Sequence, residues 1–290
     1  MINPRPSSRD PGARPPLINR AFVLLVLGAT FAAGTLDCSR TKPSPAPAPP
    51  GVLLEKLTWI EAEKRLGPAT VVVIPIGAAS KEHGPHLRLE NDRLLADYFA
   101  QRVIEAADVV VAPTVTYHHY PAFLEYPGSV SLRLETARDL MVDICKSLSG
   151  YGPRRFYALN TGVSTVKPLA AAAELLGKEG IVLTYTDLGK VLGPIEQKIA
   201  QQEGGGHADE IETSMMLVIA PATVDMSKAV KDYDPRGVGL TRKPGGPGTF
   251  SPTGSWGDPT LATRAKGEVA VAGVVAALLG DIESLRRSTP

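Results

Sequence analysis

Val71-Val72-Val73-Ile74-Pro75-Ile76-Gly77, with the helix-patterned stretch Asn91 to Ala107 behind it, is the segment whose reading decides the fold. A continuous β-branched run closed by glycine suits a strand covered on both faces, as in parallel sheets flanked by helices. Leu94, Leu95, Tyr98, Phe99, Val103 and Ile104 then recur at helical spacing, with Asn91 or Asp92 placed to cap the helix. The unit is strand, loop, helix.

Working outward, the rhythm returns. Val109 to Pro113 reads as a second strand, Thr136 to Leu148 as a helix, Phe156 to Asn160 as a third strand, Pro168 to Gly177 as an alanine-rich helix, and Ile181 to Tyr185 as a fourth strand. Glu210 to Ala220 and Glu268 to Leu279 are two further helices. Alternating strands and helices imply parallel pairing with helices on both faces. The expected fold class is therefore α/β, a single three-layer α/β/α domain with a mainly parallel sheet over residues 52–285. Tyr233 to Pro259, rich in Gly and Pro, is expected to be a surface loop serving as lid or subunit contact.

The first fifty residues differ in kind. Arg14 and Arg20 precede the apolar run Ala21 to Ala33, the pattern of an export signal or anchor over residues 1–37. At 13 residues that run is short for a spanning helix. Residues 38–51 include Pro43-Ser44-Pro45-Ala46-Pro47-Ala48-Pro49-Pro50, an extended tether. Cys38, between the two, resembles the acylated cysteine of bacterial lipoproteins, although Asp37 stands where that motif wants a small residue. Cleavage nearer Ala33 and retention as an anchor stay open beside lipidation. All three imply an exported domain, periplasmic or membrane-anchored, that touches the membrane only through its N-terminal segment.

The composition excludes some partners. Thirty-one basic and 30 acidic side chains leave a formal net charge of +1, so no long-range field draws nucleic acid. A small-molecule substrate is expected. The two cysteines, Cys38 and Cys145, make no disulfide framework, and Cys145 on an apolar helix face reads as a buried structural thiol.

Ligands of parallel α/β sheets bind outside the carboxyl ends of the strands. Glu82, His83, His86 and Asp92 follow the first strand within eleven residues, with Gly84 and Pro85 forcing a turn. Imidazole nitrogens and carboxylate oxygens make a donor set for a divalent cation. A second cluster runs from Gly204 to Ser214, where His207 and Glu212 are placed to face one pocket. On their own, Asp209 and Glu212 read more readily as acidic charges at a helix N-terminus answering its dipole. A third is the aromatic loop Tyr117-His118-His119-Tyr120 with Tyr126-Pro127-Gly128-Ser129.

Taken together, these segments resemble the creatininase family. His83-Gly84-Pro85-His86-Leu87 and Asp92 fall in register with its first motif, and Tyr126-Pro127-Gly128-Ser129 with its Phe-Pro-Gly-Thr segment. His207-Ala208-Asp209 with Glu212-Thr213-Ser214, and Gly257-Asp258-Pro259-Thr260, follow in order, so the resemblance spans about residues 55 to 280. It implies a metal-dependent amidohydrolase, commonly with two zinc or manganese ions (iron being a further option), acting on a small cyclic amide or related molecule and forming homo-oligomers. It further implies Glu82, His83 and Asp92 as metal ligands, His207 and Glu212 in catalysis, and Ser129, Asp209 and His118 around the substrate.

Two departures stand against that pattern. The family's first glutamate ligand falls two residues before the histidine, where this chain has Lys81, so Glu82 serves only if the loop bulges. The family's Asn-Gly-His after the third strand is replaced by Asn160-Thr161-Gly162-Val163, which removes an imidazole. His86, His118, His119 and Glu212 are the candidates to fill the gap. A catalytically degenerate binding protein on the same scaffold is the alternative reading.

Overall fold

The computed structural model describes residues 48–235 and 239–289, so the export signal and Cys38 lie outside the described residues. The described residues form one compact unit. Its strands are β1 (Val52–Leu53), β2 (Val71–Ile76), β3 (Val110–Val111), β4 (Arg155–Asn160) and β5 (Val182–Tyr185). They form one sheet in the order β1-β3-β2-β4-β5, and every neighbouring pair is parallel. The longest register pairs Val71 to Ile76 of β2 with Arg155 to Asn160 of β4, which puts their carboxyl ends side by side at the sheet centre.

The alternation of side chains along β2 explains the layers. Val71 and Val73 point into one core with Tyr157, Leu159 and the helices α2 (Asn91–Ala106), α6 (Glu210–Ile219) and α7 (Arg264–Arg287). Val72, Ile74 and Ile76 point into the other, against α3 (Leu134–Ser149) and α4 (Val166–Gly177). Burial on both faces is why β2 reads as an unbroken apolar run rather than an alternating one. Cys145 belongs to this second core, where burial pushes its thiol up to about 12.

Several local expectations are corrected. Neither Asn91 nor Asp92 caps α2; Glu90 precedes it with no side-chain cap bond, because both neighbouring side chains turn toward the site. Two helices were not anticipated: α1 (Trp59–Arg65), held by a capping box between Thr58 and Glu61, and α5 (Leu188–Ile199). Gly189, Gly193 and Pro194 lower helix propensity in α5, and its apolar face against the first core overrides them. The Gly- and Pro-rich segment is no simple surface loop. Thr241, Thr249, Ser251 and Ser255 within it are buried, and β6 (Leu240–Thr241) pairs with β7 (Thr249–Phe250).

Candidate active site

The site lies where β2 and β4 end. Gly77 follows β2, and a β-carbon there would overlap the backbone of Asp92, so only glycine lets the first turn of α2 sit so close to the strand end. From Gly77 to Glu90 the chain is irregular, which frees Lys81, Glu82 and His83 from strand alternation. Ser129 fixes the segment by accepting the Glu82 N–H at 2.9 Å, and Gly84, in the left-handed region at φ 66°, turns its N–H back onto the Glu82 carboxylate. The loop is irregular as a ligand role for Glu82 would require, but its carboxylate turns to His207 and stays outside the group formed by His83, His207 and Glu212.

His83 is the centre of the arrangement. Its Nδ1 lies 2.9 Å from the Lys81 carbonyl oxygen, which only accepts, so Nδ1 carries the hydrogen. Nε2 then faces Oδ1 of Asp92 at 2.7 Å and Oε1 of Glu212 at 3.6 Å. Carboxylate oxygens converging on one ring nitrogen call for a proton or a metal cation among them. Donor atoms of His83, His207 and Glu212 also lie within 4.8 Å of one another, so the residues present fit one divalent ion.

Glu212 is aimed by two bonds. Asn91 Nδ2 donates to its Oε1 at 2.9 Å and the Ala208 N–H to its Oε2 at 2.7 Å. Ala208 has φ 48°, the one positive value at a non-glycine among the described residues, a strained backbone at a functional place. Asp209 caps α6 by accepting the N–H groups of Ile211 and Glu212, both at 3.0 Å, and also lines the cavity.

His207 places Nε2 3.2 Å from Oε2 of Glu82, with the Phe123 ring 4.5 Å from its own. Burial disfavours its charged form, but the adjacent Glu82 carboxylate outweighs this and raises its pKa. Glu82 is lowered in turn: burial opposes ionisation, and His207 with the Gly84 N–H more than offsets it. Lys81, buried, extends its ammonium to within 2.7 Å of Oδ2 of Asp92. Burial works against the Asp92 carboxylate, yet Lys81 and His83 hold it far below the usual range.

Of the candidates to replace the missing imidazole, Glu212 alone reaches the group. His86 is bonded through Nε2 to Thr213 Oγ1 at 2.8 Å, and burial pushes its pKa down to about 4. His119 meets the Leu132 carbonyl through Nδ1 at 2.9 Å. His118 is fully buried without a hydrogen-bond partner among the described residues and is not among the residues lining the cavity. After β4, the Asn160 side chain binds Gly162 and Thr165 to shape a turn, and Val163 there is exposed at the cavity wall.

The cavity has a volume of about 390 Å³ and opens beside this group. Phe123, Val163, Leu188, Leu192, Met215 and Trp256 supply apolar wall; Lys81, His207, Glu212 and Glu196 supply charge or polarity. Trp256 is held by its indole N–H on the Asp234 carbonyl at 2.8 Å and by backbone pairing with His207. In the aromatic loop Tyr117 is half exposed, and Tyr126 is buried with its hydroxyl on the Ser251 carbonyl. Glu196 escaped the sequence reading because the helix that carries it did. Burial, then Asp209 and Glu212, push it up to about 7.

Comparisons with known proteins bear on the family and the fold. The family model for creatininase, described as creatinine amidohydrolase, matches residues 55–282. The mycofactocin precursor peptide peptidase of Mycolicibacterium smegmatis is 33% identical over 206 residues, covering 68% of this chain and 78% of that protein. The creatinine amidohydrolase of Pseudomonas putida is 30% identical over 244 residues, covering 75% and 91%. The 3-dehydro-scyllo-inosose hydrolase of Thermotoga maritima is 28% identical over 200 residues, covering 65% and 62%. A crystal structure of creatinine amidohydrolase superposes with a TM-score of 0.69 at 25% identity, over 82% of this chain and 99% of that one.

Proposed function

The chain belongs to the creatininase family, and from that premise we propose that it is a hydrolase that uses a divalent cation, zinc or manganese, to cleave a carbon–nitrogen amide bond in a small molecule. The observation that carries this reading is the convergence of His83, Glu212 and His207 beside Asp92 at one end of the cavity. His83 and Glu212 would hold the ion, and Asp92, 2.7 Å from His83, would complete the set, which leaves His207 of the same cluster for the proton. When bound, it supplies Lewis acidity, acidifying water and polarising a carbonyl.

The chain's own groups supply the rest. His207 has Nε2 held by Glu82, which orients the ring, so its role is to carry a proton on the other ring nitrogen, Nδ1, on the Glu212 side, and deliver it to the departing nitrogen. Phe123 and Trp256 exclude water from the side of the cavity they wall. Relatives named for creatinine and for a precursor peptide share the fold, so reaction type follows from the site and substrate from the cavity. Its volume suits a ring or a single residue-sized group.

Purification without chelator followed by metal analysis, then assay on lactams, cyclic amides and short peptides, tests the reading. Turnover abolished by chelator and restored by zinc or manganese is expected; a protein with no bound metal and no chelator-sensitive turnover would sink it. One observation favours a second reading, binding without catalysis: the imidazole expected after β4 is replaced by the turn at Asn160. Bound metal with no turnover on any of these substrates is its signature. Export is also proposed, on the apolar run behind Arg14 and Arg20, and cell fractionation checks it.

A further inference from the structure

We propose that the Lys81 ammonium takes the place of a second metal ion, so that the site binds one divalent cation per chain. The inference rests on the metal-dependent reading above and specifies its stoichiometry. Lys81 Nζ lies 2.7 Å from Oδ2 of Asp92, with the two side chains 7% and 1% exposed. Lysine is seldom buried so fully without a partner, and a buried pair of this kind persists only when its geometry is good.

The Asp92 carboxylate is divided between two cation positions. Oδ1 faces His83 and the donor group that includes Glu212, while Oδ2 faces the ammonium. A carboxylate that bridges two ions serves each through one oxygen, and here one of the two is a side chain.

The surroundings of Nζ suit an ammonium and not a metal. The Phe123 ring centroid is 4.7 Å from it and the Tyr120 centroid 5.6 Å, faces that attract an organic cation. A divalent ion needs several lone-pair donors, and Asp92 is the one carboxylate within ion-pair distance of Lys81 among the described residues. The turn from Thr161 to Val163 offers neither imidazole nor carboxylate.

Charge balance agrees. With Glu82 paired to His207, Asp92, Glu212 and the Lys81 ammonium leave one net negative charge for the ion. One divalent ion takes this to one positive charge and a second would take it to three in a buried place, which is costly. Because Lys81 also lines the cavity, its fixed charge faces the substrate without being exchangeable.

The test is calorimetric titration of metal-free protein with zinc and with manganese, alongside metal analysis after dialysis. One equivalent per chain is expected in the wild type. Lys81→Met removes the repulsion between ammonium and ion and frees Asp92, so the same single ion should bind at least about tenfold tighter. Damage to a merely structural residue would weaken binding instead. Lys81→Arg keeps the charge and should keep both stoichiometry and affinity. Two equivalents in the wild type would overturn this inference and leave metal dependence standing; none would overturn both. A folded Lys81→Met protein, judged by circular dichroism, with unchanged or weaker affinity would also overturn it; if that variant does not fold, the wild-type stoichiometry decides.

Discussion

Nε2 of His83 faces Oδ1 of Asp92 across 2.7 Å, while Nδ1 of the same ring is held 2.9 Å from the Lys81 carbonyl oxygen. The ring is thereby oriented by the backbone and presents Nε2 to the site. Asp92→Asn keeps the shape and removes the charge. Metal content after dialysis should fall below about a tenth of wild type, consistent with loss of a ligand in this setting. The unpaired Lys81 should also lower unfolding free energy by about 3 kcal/mol in urea titration. Full metal retention would show that Asp92 is not a ligand.

Gly254, at φ 86°, packs so tightly against Glu82 that a β-carbon there would overlap the carboxylate. Gly254→Ala should push Glu82 off His207, and Glu82→Gln should weaken the same pair by removing its charge. Both are expected to lower kcat by about a hundredfold or more, the scale of lost proton transfer, with metal content unchanged. Parallel loss of metal would make Glu82 a ligand instead of an orienting group.

Glu196 has its folded-state pKa raised from 4.5 to about 7, burial being the larger cause and Asp209 and Glu212 adding to it. The folded state then binds the proton more tightly than the unfolded chain. Its contribution is fully present below pH 4.5 and is lost as pH rises to about 7. After allowance for partial exposure, the change is on the order of 1 kcal/mol. Thermal unfolding of chelated protein should show wild type losing stability relative to Glu196→Gln between those pH values. Parallel profiles would place Glu196 in water.

Gly267 of α7 leaves no room for a side chain: a β-carbon would fall inside the Ser214 carbonyl of α6. Gly267→Ala should force the two helices apart and cost about 1 to 3 kcal/mol, read as a lower urea midpoint with unchanged m-value. A neutral outcome would mean that the α6–α7 contact yields easily.

Much of this was legible beforehand for a physical reason. β2 declares itself because a strand buried on both faces must be apolar throughout, and α2 because its buried residues recur at helical spacing. α5 was hidden because Gly189, Gly193 and Pro194 speak locally against helix, and only its packing restores it. Glu196 was lost with it. The buried strands of the Gly- and Pro-rich segment are two residues each, too short for any periodicity to show.

The sequence by itself determined the layer order, the family pattern and the residue types near the strand ends, because these follow from local periodicity and short-range spacing. What only the tertiary structure decided is which charge meets which. Lys81 and Glu82 are neighbours in the chain, yet one reaches Asp92 and the other His207, 125 positions away. An irregular loop carries no periodic signal for side-chain direction, so those partnerships are set by the packing of α2 and α6 against the ends of β2 and β4.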